Sequence, residues 1–242
     1  MHEGHRQRLK ERYLKEGLEG FQDHEVLELL LYYCIPRKNT NDIAHRLLER
    51  FGSLNAVFEA EPDALSAVED VGAHSALLLS LIPAISRRYA LRSIGNRPQL
   101  DTTAKAGEYA VALLRGVPVE RFYLICLDAQ CRVTYPALLQ EGTIDQAAVY
   151  PRTVAETALR HRAHSVILAH NHPGGALQPS KADIRVTRKV MEAMKPLGID
   201  VLDHIIVGNA GYYSFAAERS MTDELAAVQQ GGLPYAAEPE QK

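Results

Sequence analysis

The chain is poor in cysteine: Cys34, Cys126 and Cys131 are all it has, an odd number with no C-x-x-C pair. That argues against a disulfide framework and against a thioredoxin-like redox motif. All three thiols are expected to be reduced and buried. No stretch approaches eighteen uninterrupted apolar residues, so no membrane span is expected. The opening residues, Met1-His2-Glu3-Gly4-His5-Arg6, lack the apolar centre of a signal peptide, and the expected compartment is the cytoplasm. Basic excess is also missing: 27 Lys and Arg stand against 30 Asp and Glu, a formal charge of -3, which is not the balance of a dedicated nucleic-acid binder. Two metalloenzyme signatures are absent as well. There is no H-E-x-x-H of the helical zinc proteases, and no H-x-E with P-C-x-x-C of the zinc deaminases.

With 242 residues, 46% of them hydrophobic, the chain can bury one moderate core and one small one. Residues 1–92 read as a helical domain, because apolar positions recur at intervals of three and four: Val26, Leu27, Leu29, Leu30 and Leu31, then Ile43, Leu47 and Leu48, then Leu77, Leu78, Leu81 and Ile85. Thr40 is the expected N-cap after Pro36-Arg37-Lys38-Asn39, and Gly52 the expected left-handed stop. Leu65 to Ala76 resembles a helix-hairpin-helix, whose glycine turn offers backbone N–H groups to a phosphate. Asp70 stands at the first glycine position of that turn, beside Glu69, so a hairpin kept for packing or protein contact competes with one that binds DNA. Arg6, Arg8, Lys10, Arg12 and Lys15, with His2 and His5, form a positive segment that is either a solvated helix face or a phosphate contact.

Residues 93–101 combine Gly, Pro and polar positions and read as a linker. The second domain, 102–220, alternates helices and strands in an α/β pattern on a mixed sheet. A helix spans Thr103 to Arg115, a strand opens at Glu120, and Arg132 to Gln140 is its antiparallel partner. A helix from Thr153 to Arg160 precedes the strand Ser165 to Ala169. Strands Ile199 to Val207 and Tyr212 to Phe215 close the domain. Residues 221–242 are low in apolar periodicity and are expected to be a disordered tail.

The chemistry concentrates at His170-Asn171-His172-Pro173-Gly174-Gly175, followed by Ser180 and Asp183, a spacing of H-x-H-x7-S-x2-D. Residues i and i+2 of a strand face the same way, so His170 and His172 point together. Ser180 has the look of a helix N-cap with Asp183 as its acidic partner three residues on, which returns a carboxylate toward the imidazoles. Two neutral imidazoles and one carboxylate make the three protein ligands of a catalytic zinc, whose fourth position is left to water. Zinc lowers the pKa of such a water to about 7. The Ser180 hydroxyl is placed to donate to a developing oxyanion. A nuclease of the His-Asn-His kind distributes those residues through a ββα-metal fold, whereas here they are consecutive. Asp203-His204 is either a pair on the strand surface or a contact that orients a ligand imidazole. His161 and His164 read as surface residues.

This pattern resembles the JAMM (MPN-plus) metalloprotease motif. With Tyr150-Pro151-Arg152 before it and Leu202-Asp203-His204-Ile205-Ile206-Val207-Gly208 after it, the chain resembles the RadC family (UPF0758), a family named for DNA repair. The resemblance extends to the amino-terminal part through Gly4-His5-Arg6, Leu27 to Leu31, Pro36-Arg37-Lys38 and Phe51-Gly52-Ser53-Leu54. It implies a small helical domain, then a JAMM/MPN domain of the cytidine-deaminase-like kind. It implies one zinc per chain on His170, His172 and Asp183, Ser180 as the serine of the motif, and an upstream glutamate as general base. Glu120 is the choice for that base, with Glu141 and Glu156 in reserve. The implied activity is hydrolysis of an amide, peptide or isopeptide bond in an unidentified peptide or protein. The alternative is a DNA-associated repair or recombination factor that binds through residues 1–92 and whose zinc site is structural or vestigial. Gly175 stands where the family commonly has serine, and Thr153 where it commonly has glutamate.

Overall fold

In the computed structural model, residues 2–142 and 149–218 are described; the tail expected over 221–242 lies outside them. The chain divides into two compact units, Met1–Ser86 and Arg87–Lys242. The first holds α1 (His2–Glu16), α2 (Asp23–Leu31), α3 (Thr40–Phe51), α4 (Leu54–Glu59), α5 (Pro62–Ser66) and most of α6 (Ala73–Ile94). Leu27, Leu31, Ile43, Leu47, Leu65 and Leu79 meet in its core. In α6 the inward positions are Ala76 and Leu79, while Leu77, Leu81 and Ile85 are exposed. Gly52 ends α3 at φ 86°, the left-handed stop its position calls for. The cap at the other end of α3 differs from expectation. Asn39 holds it, accepting the Asn41 N–H at 3.1 Å, and Thr40 is the first helical residue. An Asn carboxamide reaches the N2 amide as readily as a hydroxyl does, so a consecutive Asn-Thr pair leaves the cap ambiguous in sequence.

Several cations of this unit are engaged within it. Arg6 donates to the carbonyls of Ile35, Pro36 and Lys38, and Arg12 grips both oxygens of Glu25 at 2.9 and 2.6 Å. Asp70, at φ 68° in the hairpin turn, pairs with Lys38 and with Arg46. Arg46 and Arg50 also donate to the carbonyls of Glu69 and Ala67. The buried Glu28 carboxylate accepts from Tyr32 and Asn41, and burial together with that carboxylate pushes the Tyr32 phenol up.

In the second unit, α7 (Thr103–Leu114) leads to β1 (Arg121–Leu127) and β2 (Val133–Glu141), then α8 (Pro151–Arg160), β3 (Ser165–Asn171), α9 (Lys181–Met194), β4 (Asp200–Gly208) and β5 (Gly211–Ser214). The sheet order is β2-β1-β3-β4-β5; β3 and β4 are parallel across the α9 crossover and the other pairs antiparallel. Alternation along β3 feeds two cores. Val166 and Leu168 pack with Val154, Ala158, Val190 and Met194 of α8 and α9, while Ile167 and Ala169 pack with Ala106, Ala110 and Leu114 of α7. Gly107 lets α7 lie against Tyr212, whose ring carbon would come within 2.1 Å of an added Cβ.

Several boundaries shift. α8 starts at Pro151, whose missing N–H suits a first helical position. β3 runs on through Asn171, because its ladder with β4 continues to Asn171↔Val207. Glu120 sits just before β1. The three cysteines are free, but only Cys126 and Cys131 are buried, each thiol pushed up to about 11 by burial; Cys34 is half-buried. Among the described residues no helix is long and apolar enough to cross a membrane.

Candidate metal centre

The last residues of β3 and the first turn of α9 bring three donors together. His170 faces α9 because it is in phase with Val166 and Leu168, and it pairs across the ladder with Phe122. Two residues on, His172 keeps that direction, and its backbone N–H still bonds Val207 at 2.9 Å. Ser180 caps α9 by accepting the Asp183 N–H at 3.2 Å, and the Asp183 carboxylate accepts the Ser180 N–H at 2.6 Å, a reciprocal capping box. The donor atoms of His170, His172 and Asp183 all lie within 4.8 Å of one another. His170 Nε2 stands 3.2 Å from Asp183 Oδ1, and His172 Nε2 3.5 Å from Oδ2. His170 and Asp183 are buried, whereas the His172 side chain keeps 19% of its surface open.

Hydrogen bonds behind the rings fix which nitrogens face forward. Thr187 donates to the Asp183 carbonyl at 2.6 Å, so its oxygen is left to accept from His204 Nδ1, also at 2.6 Å. Burial drives His204 well below its ordinary pKa, so the ring is neutral and carries one proton. That proton being on Nδ1, His204 Nε2 accepts from His170 Nδ1 at 2.9 Å. His172 Nδ1 donates to the Ala176 carbonyl at 2.9 Å. Both Nε2 lone pairs therefore point at one another, 3.0 Å apart, beside a carboxylate. Such a cluster of acceptors requires a cation among them. Without an ion, hydrogen bonding to Asp183 raises the His172 pKa against its partial burial, which favours a proton in that place. Burial alone would raise Asp183, but hydrogen bonding from the imidazole side, the positive charge there and the Ser180 side chain hold it far below the carboxylate range.

Other candidate residues fall around this group. Ser180 is exposed at the helix mouth; its hydroxyl oxygen accepts the Asp183 N–H, and its side-chain hydrogen bond with the Asp183 carboxylate helps to hold that group low. Glu120 is half-buried, near enough for its charge to favour protonated His172. The reserves Glu141 and Glu156 form surface ion pairs with Arg121 and Arg152 at 2.6 and 2.8 Å. His204 and Asp203 are buried, not on the strand surface; His204 backs His170, while Asp203 accepts from Ser214 and the Ala216 N–H. His164 is exposed, and His161 is half-buried under a stacked Tyr135 ring. Sequence reasoning missed Thr187, although its place four residues after Asp183 on the buried stripe of α9 signals that it shares the site. Gly175 has φ 81°, and an added Cβ would lie 2.5 Å from the Asn209 amide nitrogen. Nothing surrounds a Cβ at Gly174, so 174 is where this loop accommodates a serine.

A three-layered α/β unit with an open His-His-Asp group between a strand end and a helix start defines a JAB-type domain. Residues 100–221 match the RadC-like JAB domain family and residues 3–77 the UPF0758 N-terminal family. The chain is 37% identical over 223 residues to UPF0758 protein FN0909 of Fusobacterium nucleatum, a match that spans 89% of this chain and 96% of that protein. The chain belongs to the RadC (UPF0758) family.

Proposed function

We propose that this protein is a zinc-dependent hydrolase of the JAMM type, cleaving an amide, peptide or isopeptide bond in a peptide or protein substrate. The observation that carries the reading is the convergence of a ring nitrogen from each of His170 and His172 with the Asp183 carboxylate, all within 4.8 Å of one another. His170, His172 and Asp183 would hold the ion, and three protein donors with a partly open His172 match a catalytic site better than the closed four-ligand shell of a structural zinc. Zinc bound there supplies Lewis acidity and a water that is nucleophilic near neutral pH.

The chain's own residues supply the rest. Glu120 takes a proton as general base and returns it to the leaving amine, and the Ser180 hydroxyl donates to the oxygen of the tetrahedral intermediate. Three free thiols suit a reducing compartment such as the cytoplasm. In the helical unit, the carboxylate of Asp70 and the internal engagement of Arg6, Arg12, Lys38 and Arg46 favour a packing role for the hairpin over a phosphate seat.

Metal analysis of purified protein tests the centre. The expected stoichiometry is one zinc per chain, with tight binding lost in His172→Ala while the far-UV circular dichroism is kept. A His172→Ala protein that still holds stoichiometric zinc would remove the assignment. Peptide-library turnover by the zinc-loaded chain, with Glu120→Gln retaining zinc but losing at least a hundredfold in rate, tests the chemistry. Undiminished turnover in that variant moves the base elsewhere.

A further inference from the structure

The residue between the two histidines has its own task. Asn171 points to the face of β3 opposite His170 and is 4% exposed. Its carboxamide nitrogen donates to the carbonyls of Val117 and Val119, both at 3.0 Å, and its oxygen accepts the Arg121 N–H at 2.9 Å. Two acceptors and one donor fix the orientation of the amide without ambiguity. These three backbone groups bracket Glu120. On the far side, the Glu120 carbonyl accepts the Gly142 N–H at 2.8 Å, so the backbone at Glu120 is held from both flanks.

We infer that Asn171 is a positioning residue for Glu120, tying the segment 117–121 to the strand that carries the metal histidines. The inference rests on the reading of Glu120 as the general base. The segment arriving from α7 has no regular structure of its own; Val117 is buried at its start, but Val119 is 40% exposed and does not anchor the stretch beside Glu120. One carboxamide replaces that missing packing with three hydrogen bonds. It also makes the base and the histidines move as one body, since backbone shifts at Asn171 pass to both. Aspartate lacks the two donors, and serine or alanine cannot span the gap to three groups.

The test uses the full chain as wild type, Asn171→Ala, Glu120→Gln and the double variant. Zinc affinity is measured by chelator competition, Arg121 amide exchange by NMR, and the pH midpoint of the visible spectrum on the Co2+-loaded proteins. Asn171→Ala is expected to keep zinc affinity within about threefold and to speed Arg121 exchange about tenfold, the size of one lost hydrogen bond. Its Co2+ midpoint should move in the direction of Glu120→Gln, and the double variant should move no further than Glu120→Gln alone. Additive shifts, an unchanged Arg121 amide, or a tenfold loss of zinc affinity overturn the assignment, the last by giving Asn171 to the histidines. A Glu120→Gln midpoint equal to wild type removes the base itself, and the inference with it, while the metal reading survives. Should Asn171→Ala not fold, wild type decides alone: both Asn171 side-chain protons must exchange slowly, and exchange at the rate of a solvated carboxamide overturns the clamp.

Discussion

His204 shows how one buried side chain sets the electronic state of another. Its Nε2 accepts a hydrogen bond from His170 Nδ1–H, which leaves the forward nitrogen of His170 as the free lone pair. His204→Ala is predicted to weaken zinc binding by about 10- to 100-fold, the usual cost of losing such a partner, as read by chelator competition; unchanged affinity would show that His170 finds its tautomer unaided. Gly175 and Gly174 make a matched pair of probes. Gly175→Ser should lower the melting temperature, because φ 81° and the Asn209 side chain both oppose a Cβ, whereas Gly174→Ser should be neutral within about 0.5 kcal/mol. At this scale the sequence displays donors but not their orientation. His170, His172 and Asp183 follow from strand alternation and a capping box, both local rules. The His204–Thr187 chain joins residues 17 apart in sequence to a ligand 34 residues away, and no local period announces that.

Among the elements, α9 carries the most consequence, since its cap is also part of the metal group and its buried stripe of Asp183, Thr187, Val190 and Met194 connects the site to the core. The elements of the second unit are readable because its helices each present one apolar face and its central strands β3 and β4 are short apolar runs buried on both faces. Their ends are less so: β3 continues through His170 and Asn171 only because β4 lies beside it, a partner that no window around residue 170 contains. In the helical unit, the stretch Leu77 to Ile85 reads as core by its apolar content, yet Ala76 and Leu79 take the inward positions and the larger residues face outward. α7 depends on the missing side chain of Gly107. Gly107→Ala is predicted to destabilise the protein by about 1–3 kcal/mol despite the better helix propensity of alanine, because Tyr212 must leave its seat. A rise in the urea midpoint would contradict this.

For the molecule as a whole, charge is unevenly placed although the formal sum is -3. Lys181, Arg185, Arg188 and Lys189 are exposed on the outward side of α9, with no ion-pair partner among the described residues and Glu192 as the acid interleaved with them. Reversing Arg185, Arg188 and Lys189 to glutamate should lower the salt needed to elute the protein from heparin, and an unaltered elution would show that this helix does not lead the field. Stability should also follow pH in a defined way without metal. Asp183 is held far below its ordinary 3.8, so its contribution is whole above about pH 4 and lost as pH falls further. His172 is raised above 6.5, so its contribution is present below that value and lost as pH climbs through the raised one. Urea midpoints of the metal-free protein should therefore peak between these limits, and a midpoint that rises steadily from acid to alkali would contradict the assignment.

One carboxylate, Asp183, begins a helix and completes a metal group. If an ion binds there as proposed, occupancy and local folding become two readings of one equilibrium, because the group that would hold it also ties the segment 173–179 to the root of α9. Heat tolerance would then gauge metal supply, and a protease that nicks that segment only in metal-starved protein would make the gauge visible on a gel.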